Sequence, residues 1–294
     1  MQSHLSPKDL ALLIGVSESS LKRWVDDGRL RAERTAGGHR RIAIAEAVRF
    51  IRETSAAIAD PALFSLPELD QAAVDAAQNG EAELAILSAA RDRNTARATG
   101  VLIAEFLRSR TVASVCDGPM TMLLNQAEQD GHGAAASGLN VHPGTAAAIC
   151  KETTQRISVL LAEPRADGPV AVVSAVGSEG AGARALMAGA VLRECNYRVV
   201  GTELASGNGQ AGRESLVCTV FDRGATLPAD HRRHSTDAGV ETVWFGPGIA
   251  GLPPRAGVRI VHSLCELACV ARAARPASVR DMTTVRTTRS RATT

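Results

Sequence analysis

Five arginines stand between positions 29 and 41, namely Arg29, Arg31, Arg34, Arg40 and Arg41, with Glu33 as the single acid among them. They flank Gly37-Gly38, and His39 follows the glycines directly. A guanidinium group keeps its charge and matches phosphate oxygens two at a time. Arginines at this density, alternating with Leu30, Ala32 and Ile42 around a glycine pair, predict a basic two-stranded hairpin. The chemistry of such a hairpin is neutralisation of phosphates, along a nucleic-acid backbone or in a minor groove. Just upstream, Ser19, Ser20, Lys22 and Arg23 fall in a stretch with helical spacing. Serine hydroxyls bond bases or phosphates, and lysine and arginine reach phosphates or guanine edges.

The elements that must hold these groups are legible nearby. Ser6 is an N-cap, followed by Pro7 at the first helical position and Asp9 three residues after the cap. Leu10, Leu13 and Ile14 form a helical apolar stripe, and Gly15-Val16 breaks it. Ser17 caps a second helix, SESSLKRWVDDG, which Gly28 ends. Val16, Leu21 and Trp24 or Val25 turn toward the first helix, leaving Ser19, Ser20, Lys22 and Arg23 free for a groove. A third helix is expected from about Ala43 to Arg52, closing the core with Ile44, Val48 and Ile51. Two short helices joined by a tight glycine turn are the helix-turn-helix signature.

The runs VSESSLKRWVDDGRL and TAGGHRRI resemble the head of the MerR superfamily, in its single-domain or excisionase-like form. The resemblance implies a DNA-binding domain over residues 1–53. It places Ser19, Ser20, Lys22 and Arg23 on the recognition helix, and His39, Arg40 and Arg41 at the wing. Double-stranded DNA is then the partner, with phosphate contacts expected from Arg29, Arg31, Arg34, Arg40 and Arg41.

Length and charge fit a head with a separate body. At 294 residues the chain predicts two or three domains. Net charge is only +2, but residues 1–53 carry ten basic and seven acidic side chains, and residues 272–294 carry six and one. The stretch between is acidic, so the protein is not uniformly coated for nucleic acid. The core must be built from Ala, Val, Leu and Ile, since there are only two Trp, one Tyr and five Phe. No apolar run of about twenty residues marks a membrane span, and the N-terminus lacks a signal-peptide pattern. The expected location is therefore cytoplasmic, at the nucleoid. The six cysteines, Cys116, Cys150, Cys195, Cys218, Cys265 and Cys269, read as buried thiols, and Cys265-x3-Cys269 lacks a partner pair that would make it a metal site.

Beyond a connector with Pro61 and Pro67, helical patterns run from Leu66 to about Leu161: LDQAAVDAAQNG, EAELAILSAARDR, TARATGVLIAEFLRSR, SVCDGPMTMLLNQAEQDG and TAAAICKETTQRISVLL. Short loops between them predict a helical bundle over residues 66–163. Met120, Met122, Leu123 and Leu124 read as plain core. From Gly168 the pattern changes. GPVAVVSAV, YRVVGTEL, LVCTVF, GVETVWFG and VRIVHSL read as strands, with ARALMAGAVLRECN as a helix after the first. This predicts a doubly wound parallel sheet over 168–273, and a multidomain α + α/β chain overall. A basic disordered tail, 274–294, follows.

A bundle and such a sheet behind this head resemble the CarH/LitR group of cobalamin-dependent, light-responsive repressors, and AVVSAVGSEGAGARALMAGAVLRECNYRVVGTEL carries the likeness. The sheet is then a B12-binding-like, Rossmann-like domain. Members that bind cobalamin carry Glu-x-His-x-x-Gly after the first strand, with the histidine on cobalt. The counterpart here is Glu179-Gly180-Ala181-Gly182-Ala183-Arg184. Ala181 has no nitrogen to coordinate cobalt, and Arg184 puts a long side chain where the glycine leaves room. The family's Trp and Glu-His pair in the bundle are missing too, although His132 and His142 lie in that region.

Cobalamin is therefore disfavoured, and no other cofactor is indicated. The expected function is a DNA-binding transcriptional regulator whose sensory body has lost its cobalt-ligating histidine. The alternative is a B12-dependent, light-responsive repressor using a displaced ligand such as His142. Within the regulator reading, the body either assembles copies into a homo-oligomer or binds a different small molecule. The pocket for such a ligand would draw on Ser174, Ser178, Glu179, Ala181, Arg184, Thr202, His142, Gly246 and Gly248, because ligands on such sheets sit at the carboxyl ends of strands. A cobalamin-fold enzyme is a further alternative, but no catalytic residues are identified. Asp230-His231-Arg232-Arg233-His234 reads as a charged loop.

Overall fold

The structure, a computed structural model, describes residues 3–131, 140–201, 214–226, 240–253 and 255–274. The N-terminal unit contains α1 (Pro7–Leu13), α2 (Glu18–Asp26) and α3 (Ile44–Thr54) with strands β1 (His4–Leu5), β2 (Glu33–Arg34) and β3 (Arg40–Ala43). Ser6 and Asp9 form a reciprocal capping box at the start of α1, with bonds of 3.1 Å in both directions. Ser17 caps α2 through the Ser20 N–H at 3.1 Å. The hairpin β2–β3 is antiparallel, with Glu33 opposite Arg41 and Arg34 opposite Arg40. β1 adds a third strand on the far side of β3, pairing Leu5 with Ile42. Leu5, Leu10, Leu13, Leu21, Leu30, Ile42, Val48 and Ile51 are buried together beneath these elements.

A single 3-10 turn, Pro61–Phe64, fills the expected connector. The helices that follow are α4 (Gln71–Gln78), α5 (Ala82–Arg91), α6 (Thr95–Arg108), α7 (Val112–Val115), α8 (Thr121–Gly131) and α9 (Pro143–Leu160). One π turn, Cys116–Met120, joins α7 to α8 around Pro119. The sequence suggests that α6 mixes core and surface, but nearly every side chain from Ala98 to Leu107 is buried. Its central turns are enclosed because α3, α4, α5 and α9 surround them.

The C-terminal unit is a five-stranded sheet: β4 (Val170–Val176), β5 (Arg198–Val200), β6 (Glu214–Phe221), β7 (Glu241–Phe245) and β8 (Val258–Ile260). The order is β5-β4-β6-β7-β8, and every pairing is parallel. In chain order this is 2-1-3-4-5, so the topological switch lies between β4 and β6. Helices α10 (Glu179–Glu194) and α11 (Leu264–Ala273) cover one face, where Ala171, Val173, Cys218 and Val243 meet them. On the other face a small cluster forms around Phe221 and Trp244, whose rings lie 5.3 Å apart. The helices described are on one face only; residues 202–213 and 227–239, which connect β5 to β6 and β6 to β7, lie outside the described residues, and β7 reaches β8 through a 3-10 turn at Ile249–Gly251.

The units share one core, which runs without interruption from Leu5 to Ala271. Polar ties reinforce it. Asp117, on the π turn, caps α11 by accepting the Leu264 and Cys265 N–H groups at 2.7 and 2.8 Å. Arg52, at the end of α3, donates to Ser109 O and to Glu194 Oε1 of α10, each at 2.8 Å. Cys116, Cys150, Cys195 and Cys218 are buried, whereas Cys265 and Cys269 are exposed. Burial pushes the Cys150 and Cys218 thiols up to about 12, which makes them inert. Among the described residues no helix is long and apolar enough to cross a membrane.

Candidate nucleic-acid interface

The hairpin and α2 enclose a cleft of about 640 Å³. Lys8, Lys22, Arg34, His39, Arg40 and Arg41 line it, with Glu18 as the acid. Local chemistry explains why these groups converge. Gly38, at φ +80°, turns the chain between the strands. Thr35 N–H bonds His39 O at 2.9 Å, and Thr35 Oγ1 accepts the His39 N–H at 3.2 Å. The tip is thus fixed with the His39 side chain exposed. Leu21 buries the inner side of α2, which leaves Ser19, Lys22 and Arg23 exposed.

The expected residues divide into groups. Arg34 and Arg41 line the cleft and make no ion pair among the described residues. Lys22 is exposed beside Glu18, 2.9 Å away. Such a surface pair is worth little and opens readily to a stronger anion. Arg40 is half-buried and bonded to Asp26 of α2. This pair links the hairpin to the helix, while Arg40 also lines the cleft. Ser20 is half-buried, and its hydroxyl lies 2.9 Å from Ser17 Oγ in the helix cap. Arg29 lies over the Trp24 ring, 5.7 Å from its centroid, and Trp24 packs 5.1 Å from Phe50. Arg31 lines a different cleft, between the N-terminal unit and the rest of the chain. Lys8 is the residue that sequence reasoning missed. It belongs to the first turn of α1, and only the pairing of β1 with β3 brings that turn beside the hairpin.

Among the described residues, the second expected site, at the carboxyl ends of β4, β6 and β7, is largely filled by the chain itself. Asp222 accepts the Ser178 N–H at 3.1 Å and a very short bond from the Ser178 hydroxyl. Burial works against its ionisation, but the bonds from Ser178 and the Arg223 N–H, with Arg184 nearby, hold its carboxyl below the usual range. Gly248 N–H bonds Phe221 O at 3.1 Å. A Cβ on Gly248 would fall 1.8 Å from Asp222 O, so the turn containing Gly246 and Gly248 seals against the end of β6. Ser174 bonds Thr219 within the sheet at 3.3 Å. Ala181 is buried. Arg184 is 3% exposed and reaches across to α8, bonding Glu128 at 2.7 Å and Asn125 at 3.2 Å. His142 caps α9, its Nδ1 accepting the Gly144 N–H at 3.1 Å. Between bundle and sheet a cavity of about 200 Å³ remains, beside Glu128, Gly144 and Glu179. Thr202, His132 and the stretch 230–234 lie outside the described residues. Among the described residues no group of three or more His, Cys, Asp or Glu side chains is placed to hold a metal ion.

A family model described as a helix-turn-helix domain matches residues 5–55. No curated protein matches the chain. The matched segment spans the capped helices, the hairpin and α3. The chain therefore carries at its N-terminus the kind of domain that seats DNA-binding regulators on a duplex.

Proposed function

We propose that the protein is a transcriptional regulator of the MerR type, which lays α2 in a major groove and its hairpin along the adjoining backbone. The observation that carries this reading is the cationic cleft between those two elements, within a segment matched as a helix-turn-helix domain. Lys22, Arg34, Arg41 and the His39 tip supply phosphate contacts, while Ser19 and Arg23 face base edges. Arg40 acts through Asp26 by fixing the angle between hairpin and helix. One such head covers little DNA, so useful specificity needs at least two copies on neighbouring half-sites.

The body, in this reading, is a CarH-like module that no longer takes histidine-ligated cobalamin. The residues at the strand ends do not fit that group. Ala181 supplies no ligand atom, Arg184 spans the gap to α8, and the remaining cavity is below the about 300–1,000 Å³ of an ordinary ligand pocket. Its role is regulatory, with no chemistry of its own.

Fluorescence anisotropy with a labelled random-sequence duplex, repeated over a series of salt concentrations, tests the DNA reading. Each phosphate contact contributes about 0.9 to the slope of log affinity against log salt. The double variant Arg34→Ala/Arg41→Ala is expected to bind at least about tenfold more weakly, with a slope shallower by about two. Unchanged affinity and slope would refute the reading.

A further inference from the structure

The cleft that Arg31 lines has a volume of about 700 Å³. One wall belongs to the N-terminal unit, with Arg31, Ala32 and Ala43 of the hairpin region and Val48 of α3. The facing wall comes from the rest of the chain. Leu160 and Leu161 end α9, Arg110 follows α6, and Arg193 and Arg272 stand in the last turns of α10 and α11. Apolar surface thus lies between charged rims, in a volume suited to an organic ligand.

The charges on the rims do not cancel. Every carboxylate there has a partner. Glu46 and Glu53 bond Arg49, Glu194 bonds Arg52 at 2.8 Å, Glu163 bonds Arg193 at 3.1 Å, and Glu33 faces His4 at 3.6 Å. Arg31, Arg110 and Arg272 make no side-chain ion pair or hydrogen bond among the described residues, although Glu46 accepts the Arg31 N–H at 2.8 Å and lies within reach of its charge. Arg193 Nε is also buried without a hydrogen-bond partner. Guanidinium groups whose neighbouring carboxylates are largely engaged by other arginines, around an apolar floor, are suited to an anion with an apolar body.

We propose that this cleft binds a small organic anion, an apolar body bearing carboxylate or phosphate groups held by Arg31, Arg110 and Arg272. Arg31 belongs to the N-terminal unit and the other two to the body, so the ligand bridges the junction. Its effect on DNA affinity rests on the DNA-binding reading; binding of the anion itself does not.

The test uses the full chain without DNA and 8-anilinonaphthalene-1-sulfonate, a dye with apolar rings and one anionic group. Fluorescence titration is expected to show one saturable site. The double variant Arg110→Ala/Arg272→Ala should weaken it about tenfold or more, since the anion loses charge-assisted hydrogen bonds from two guanidinium groups. Both side chains are exposed and unpaired, so the melting temperature should not move. Displacement of the dye by citrate assigns carboxylate recognition, and displacement by pyrophosphate assigns phosphate. Binding that never saturates, that survives the double variant, or that neither anion displaces would overturn the proposal. Arg34→Ala/Arg41→Ala should leave the dye site intact, so the two readings fail separately.

Discussion

Arg52 shows how much one side chain can carry at a junction. Its guanidinium lies 4.3 Å over the Phe106 ring while bonding Ser109 O and Glu194. The other Glu194 oxygen accepts the Val112 N–H at 2.8 Å. Desolvation offsets much of the attraction in such a pair, but removing one partner strands the other. Arg52→Ala is therefore expected to cost about 3–5 kcal/mol in urea unfolding. Adding Glu194→Gln should recover part of that loss, because no charge is then left unpaired. Asp222 yields a pH prediction. Its carboxyl is depressed in the folded state, so its contribution is present above the ordinary aspartate value of about 3.9 and is lost as pH falls through the folded value. Unfolding curves of the protein and of Asp222→Asn should differ by a constant amount above about pH 5, begin to approach each other near about pH 4, and converge only once pH has fallen below the depressed folded value. Neither partnership was legible in the sequence. Arg52 reads as the basic end of a helix, and its acid lies 142 positions away. By contrast, Ser6 with Asp9 and the Ser17 cap are legible, because a cap and its target are only three residues apart.

Among the elements, α6 lies directly against the backbone of a neighbouring loop. A Cβ on Gly100 would lie 1.9 Å from the Glu68 carbonyl oxygen, so helix and loop backbone touch there. Gly100→Ala should cost about 3 kcal/mol, the upper end of overpacking, read as a lower denaturant midpoint. Gly251→Ala, where a Cβ meets nothing within 4 Å, serves as the near-neutral control. Helical periodicity reveals where α4, α5, α6 and α9 lie, but not that α6 is enclosed, because enclosure depends on its neighbours. The hairpin was legible from its glycines and alternation. β1 was not, since two residues carry no period and their partner, β3, comes 35 or more positions later. The same gap hid Lys8. The arginines of the hairpin region were read as one set because they are dense in sequence. The folded chain places Arg34 and Arg41 on one cleft and Arg31 on another.

At the scale of the whole molecule, the parallel sheet with its 2-1-3-4-5 order has a switch point between β4 and β6. Asp222 and Ser178 bond across that point, and Arg184 ties the sheet to α8. Spectral titration with adenosylcobalamin is accordingly expected to show no saturable change, and a cobalt–histidine spectrum would defeat this expectation. The motif comparison in the sequence leads to the same outcome, but it leaves open what fills the space. The long reach of Arg184 to Glu128 fills it. A different consequence follows from Asp117. The first N–H groups of α11 depend on a carboxylate that precedes them by 147 residues. Ten residues of helix are too few to persist alone in water. α11 therefore gains its cap only when the turn carrying Asp117 is in place, so loosening that turn would loosen the far edge of the sheet unit with it.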